Sequence, residues 1–193
     1  MKFHFGDIPR PIDFEPDDSW TLLREPSTMT KQLISFPIGI VMAIVLFQIW
    51  KALNPAEVLV LPSRFQFIRM LIDTYFLHEA CHLIAHPNMG FSSKSHVVIS
   101  LSKLMSYTYY DAGLRRNSFI LIQLFPLIVI SIVAPIICMI FQFFSTWFVA
   151  ISVINALSAC VDLYYSLLIL NQVPNKAIAR TYKWRTYWKL SGS

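Results

Sequence analysis

Residues 78–82 read His78-Glu79-Ala80-Cys81-His82. Histidines four positions apart stand one above the other on a single face of an α-helix, where both imidazoles can bind one Zn²⁺. Glu79, beside the first of them, can take a proton from a water on that ion, the general-base role in zinc-assisted hydrolysis. With five His and four Glu in 193 residues, the pattern arises by chance in about 0.3% of such chains. The competing reading is a polar helix end that snorkels toward a membrane surface.

A catalytic zinc takes three protein ligands and keeps a fourth position open for water. Asp162 is the expected third ligand. It lies eight residues before Leu170, while His78 and His82 lie eight and four residues before His86. At ~1.5 Å per residue the three groups fall at similar depth if their helices run the same way. His86 is the rival, since it extends the same helix face. Three ligands along one straight helix cannot all reach a tetrahedral ion, and Pro87 follows it, so an interfacial histidine is expected there. Asn155 lies two turns before Asp162 on nearly the same face; it could bond a substrate backbone or an oxyanion, or bridge helices as polar glue. Asp73 is expected to pair with Arg69 four residues back. Cys81 and Cys160 are expected to pack as small hydrophobes, and no disulfide is expected.

The elements that carry these residues are apolar. The chain is 55% hydrophobic, 15% aromatic and 14% charged, with a mean hydropathy of +0.54, far from the roughly 25% charged of a soluble domain. Five isolated glycines without a GxG argue against nucleotide-binding loops. The first residues lack the apolar core of a signal peptide, so an internal helix is expected to direct insertion. The pattern predicts an all-α polytopic membrane protein. Its four transmembrane helices cover about 32–50, 65–86, 118–144 and 147–170, with a short surface β-hairpin between the second and third. Three parts follow: an N-terminal arm (1–31) with Pro9, Pro11, Pro16 and Pro26, a four-helix metalloprotease-like domain (32–174), and a basic-aromatic tail (175–193). Breakers at Asn54-Pro55 and Leu61-Pro62 separate the first two spans, and Trp50 and Lys51 are expected as interfacial anchors. Pro126 and Pro135 are tolerable in a span where neighbours re-satisfy the freed carbonyls.

The sixteen bases set orientation. Lys2, Arg10, Arg24 and Lys31 lie in the arm, Lys94, Lys103, Arg115 and Arg116 in the 87–117 loop, and Lys176, Arg180, Lys183, Arg185 and Lys189 in the tail. Against these thirteen stand Lys51 and Arg64 on the other face and Arg69 within a span. The positive-inside rule predicts a multi-pass protein of the cell membrane with both termini cytoplasmic. The basic tail then reads as a belt on anionic lipid, and no nucleic-acid partner is expected.

His78-Glu79-Ala80-Cys81-His82 in one span, a surface β segment, a span containing Leu124-Phe-Pro-Leu-Ile128, and a last span with Asn155 and Asp162 together resemble the core of site-2-type intramembrane metalloproteases. More closely, residues 20 to 175 are similar to a bacterial family of membrane zincin peptidases with one extra span before the HExxH helix. Where the site-2 enzymes usually carry glycine after the aspartate, this chain has Val161-Asp162-Leu163. The resemblance implies zinc on His78, His82 and Asp162, with Glu79 as base. The expected activity is hydrolysis of a peptide bond in a membrane-embedded or juxtamembrane substrate near the cytoplasmic face. The 87–117 loop and the Pro126/Pro135 helix are candidates for a gate, and the stretch Ser95–Lys103 could offer an edge to an extended substrate. The alternative is a non-catalytic membrane protein whose polar cluster is a structural metal site or carries ions.

Overall fold

The structure, a computed structural model, describes residues 1–6, 14–53, 60–100, 105–183 and 185–190. Pro9, Pro11, Arg10, Asn54, Pro55 and Lys103, on which some expectations fell, lie outside these residues. In chain order the elements are β1 (Lys2–Phe5), β2 (Thr21–Leu22), α1 (Thr28–Leu53), α2 (Arg64–Ala85), β3 (Ser95–Ser100), β4 (Met105–Tyr110), β5 (Leu114–Arg115) and α3 (Arg116–Pro126). A π-helical stretch over Leu127–Val133 joins α3 to α4 (Ala134–Ile140), followed by α5 (Thr146–Ser158), α6 (Cys160–Gln172), β6 (Ala177–Tyr182) and β7 (Arg185–Leu190).

The chain divides into two compact units. One comprises Ser27–Cys81 and Leu124–Tyr164, the other Met1–Pro26, His82–Gln123 and Tyr165–Ser193.

The first unit is helical. α1 starts where Ser27 Oγ accepts from the Thr30 amide at 3.2 Å, and α2 at a reciprocal capping box. There the Ser63 amide donates to Gln66 Oε1 at 2.8 Å and the Gln66 amide to Ser63 Oγ at 3.4 Å. Gly39 lets α1 approach the α5–α6 junction closely. A Cβ there would meet the Leu157 carbonyl oxygen at 2.7 Å and Cys160 Cβ at 3.0 Å. Trp50 was expected at the membrane interface. It is instead buried against Cys138 and Val149, and its indole N–H donates to Ser152 Oγ at 2.7 Å. Arg69 pairs with Asp73 at 3.6 Å as the spacing predicted, and its guanidinium also lies over the Trp147 ring.

The second unit holds two sheets. β1, β3 and β4 form one, with β1 parallel to β3; β2, β7, β6 and β5 form the other in that order. Leu23, Ile169, Val173 and Ala177 make its apolar centre, with Phe119, Tyr165 and Trp188 packed around them. The arm is tied to α6 by a reciprocal pair, Arg24 amide to Gln172 Oε1 and Gln172 Nε2 to the Arg24 carbonyl, each 2.9 Å. Arg180 bridges Asp111 at 3.0 Å and lies over Phe14.

Two expectations fall here. The chain is not an all-α four-span protein, because seven strands in two sheets accompany the helices among the described residues. The hairpin β3–β4 is present, but β1 covers its other side, so β3 has no open edge for a substrate strand. The alternation of bases and aromatics in the tail is the two-residue period of the β6–β7 hairpin. Strands as short as β2 and β5 carry no pattern of their own and exist only through pairing with distant residues. Among the described residues, two helical stretches are long and apolar enough to cross a membrane, Thr28–Leu53 and Arg116–Ile140. A third is available if α5 and α6, bent by 42°, count as one. α2 does not qualify, since Arg64, Arg69, Asp73 and Glu79 interrupt it.

Candidate metal centre

α2 presents His78, Glu79 and His82 in order. The helix continues unbroken to Ala85, where the extended backbone that Pro87 imposes on His86 ends it (φ −63°, ψ 154°). Both histidines belong to this one helix.

Asp162, in the first turn of α6, lies with its Oδ2 3.1 Å from His78 Nε2. Two ligands of one tetrahedral zinc, each ~2.0–2.1 Å from the metal, stand about 3.3 Å apart, so this pair fits one ion. His78, His82 and Asp162 each offer a ligand atom within 4.8 Å of the others. His82 is buried, and the side chains of His78 and Asp162 are 13% and 18% exposed. Glu79 is half-buried beside His78.

The remaining ring nitrogens are both engaged. His78 Nδ1 lies 2.9 Å from Asn155 Oδ1, and His82 Nδ1 lies 2.8 Å from the Ile122 carbonyl oxygen. A carbonyl can only accept, so Nδ1 carries a proton in each ring, which makes Nε2 the atom that would bind an ion. Zinc-binding histidines are held in this way, with the outer N–H bonded to an oxygen that fixes tautomer and orientation. Asn155 is itself fixed. It is fully buried, and its Nδ2 donates to the Pro126 carbonyl at 3.1 Å and to Ser131 Oγ at 2.8 Å, which turns its oxygen toward His78. Ser131 Oγ in turn donates to the Ser152 carbonyl at 2.8 Å.

Each expected site residue thus has a location. His78, His82 and Asp162 come together, and Glu79 follows His78 on α2. Asn155, for which both a substrate-facing and a helix-bridging role were open, makes bridging bonds behind His78. His86 is not in the ligand group; it is buried, 4% exposed, with its ring edge-on to Tyr110. Burial, reinforced by the like charges of His82 and His96, lowers its pKa to about 4. Cys81 packs against Ile130 and Ile151, and Cys160 Sγ lies 3.5 Å from Ser35 Oγ. Two partners escaped the sequence reading. Ser131 is a hydroxyl within an otherwise apolar run and could have been flagged, whereas the Ile122 carbonyl is backbone and its side chain carries no sign of it.

Two histidines one turn apart and a carboxylate from another helix could hold a metal ion, and a glutamate stands between the histidines in sequence. The chain belongs to the family described as "Putative zincin peptidase", whose model matches residues 71–178 and so includes every residue of the centre. No curated protein and no solved structure matches the chain.

Proposed function

We propose that the protein is an intramembrane zinc metalloendopeptidase of the site-2 type. It hydrolyses a peptide bond of a membrane-embedded or juxtamembrane protein near the cytoplasmic face of the cell membrane. The observation that carries this reading is the grouping of His78, His82 and Asp162, with the two histidines oriented from behind by hydrogen bonds to Asn155 and to the Ile122 carbonyl. Family membership and the apolar helices support it from two further sides.

His78, His82 and Asp162 would hold the zinc, which when bound supplies Lewis-acid polarisation of the scissile carbonyl and lowers the pKa of a water. Glu79 accepts one proton of the attacking water as its oxygen bonds to the carbonyl carbon. The same carboxyl then delivers that proton to the departing nitrogen as the C–N bond breaks, leaving an acid and an amine. The buried Asn155 network keeps His78 from swinging out of position during these changes of charge.

Both termini are assigned to the cytoplasm of a multi-pass protein. In support, β2 pairs with β7, and the described bases of the positive-inside count, Lys31 excepted, fall in the unit that contains this sheet. The test is a comparison of new N-termini in membrane proteins from cells producing the wild-type chain, Glu79→Gln and His78→Ala. Cleavages present with wild type and absent with both variants are expected; identical termini in all three would overturn the proposal.

A further inference from the structure

Pro126 ends α3 and opens the π-helical stretch. A residue at this position would normally donate its N–H to the carbonyl four residues back, that of Ile122. Proline has no N–H, and its ring presses that carbonyl away from the helix axis. The Ile122 carbonyl is the one that accepts from His82 Nδ1 at 2.8 Å. On its other side Pro126 contributes its own carbonyl, which accepts from Asn155 Nδ2 at 3.1 Å where the backbone turns π-helical. Asn155 then holds His78 through the 2.9 Å bond to Nδ1.

We propose that Pro126 is a positioning residue for the metal centre: it releases the backbone acceptor that orients His82 and carries the backbone acceptor that orients Asn155 and, through it, His78. The missing N–H acts on His82, while the carbonyl, which any residue here would carry, acts on Asn155; the inference rests on the zinc-site reading above. Pro135 is an internal comparison. It lies in the first turn of α4 on the same long helical stretch, and no hydrogen bond among the described residues links it to either histidine.

The test uses the full-length protein in detergent or nanodiscs, with zinc affinity measured by competition against a chelating dye. Pro126→Ala restores a donor for the Ile122 carbonyl and is expected to weaken zinc binding about 10–100-fold, the range for loss of an outer-shell partner. Pro135→Ala is expected to stay within about twofold of wild type. Equal affinities for wild type and Pro126→Ala, or an equal loss in both proline variants, would overturn the inference while leaving the zinc site standing. Absence of zinc binding by wild type would instead sink the zinc site itself. Should Pro126→Ala not fold, histidine ¹⁵N spectra of the metal-free wild type decide. The inference requires Nδ1–H on His78 and His82, against the Nε2–H form that free imidazole side chains favour, and Nε2–H on His82 would refute it.

Discussion

His78 and Asn155, seventy-seven residues apart in the chain, meet through a 2.9 Å hydrogen bond from ring Nδ1 to amide Oδ1. The bond joins the HExxH helix to a helix that precedes the aspartate, and it leaves His78 Nε2 directed at Asp162, 3.1 Å away. An asparagine suits this place better than a charged group. It offers one acceptor to the histidine and two donors to Pro126 and Ser131 without bringing a second carboxylate beside Asp162.

Asn155→Ala removes that anchor and strands buried acceptors. Zinc affinity is expected to fall about 10–100-fold, and the folded protein to lose about 1–3 kcal/mol. Chelator competition and thermal unfolding in detergent measure the two effects separately. Unchanged affinity would show that His78 needs no such support.

Glu79→Gln separates binding from chemistry. The amide keeps the shape of the side chain and removes the proton acceptor, so zinc content should match wild type while turnover falls about 10²–10⁴-fold. Asp162→Ala should lose the metal and the activity together. A Glu79→Gln protein that still cleaves would remove Glu79 from the reaction.

The buried histidine outside the ligand group governs a response to acid. Folding holds His86 near a pKa of about 4, below its ordinary 6.5, chiefly through burial. The unfolded chain therefore binds a proton that the folded chain refuses between those values. Stability contributed by neutral His86 is complete above pH 6.5 and is lost as pH falls toward 4, by on the order of 3 kcal/mol. Burial lowers His96 as well, and it acts in the same direction. Melting temperatures across pH 4–7 with chelator present should fall with acid in wild type, and less steeply in His86→Phe. Parallel curves would refute the assignment.

Gly39 is required by contact. A leucine there would drive its Cβ into the Leu157 carbonyl oxygen and Cys160, so Gly39→Leu is expected to cost about 1–3 kcal/mol in overpacking, read as a lowered melting temperature. A melting temperature equal to that of wild type would mean that α1 can back away freely.

The chemistry of this chain was more legible than its architecture. HExxH is a local pattern, and the helix periodicity that makes it readable also fixes its geometry. Asp162 could be reached because it is the one acid in the apolar run Trp147–Leu170, and a third ligand has to come from another helix. The sheets were not legible by such means. Lys2–Phe5 and Thr21–Leu22 are too short to show alternation, and they become strands only by pairing with β3 and β7, nearly a hundred and more than a hundred and sixty residues away. The tail displayed its two-residue period openly. Its bases and aromatics drew attention to a lipid surface, a question of partner that left the strands carrying them unread. Trp50 was misplaced for a related reason: position at the end of an apolar run suggests an interface, whereas the Ser152 hydroxyl that satisfies its indole inside the bundle lies a hundred residues further on.

The central claim is that His78, His82 and Asp162 hold one zinc. Metal analysis of the purified full-length chain tests it most directly. About one zinc per chain is expected in wild type, with none retained after His78→Ala/His82→Ala and little after Asp162→Ala. A folded wild-type protein without zinc that takes none up on titration, or a double-histidine variant that keeps it, would contradict the account.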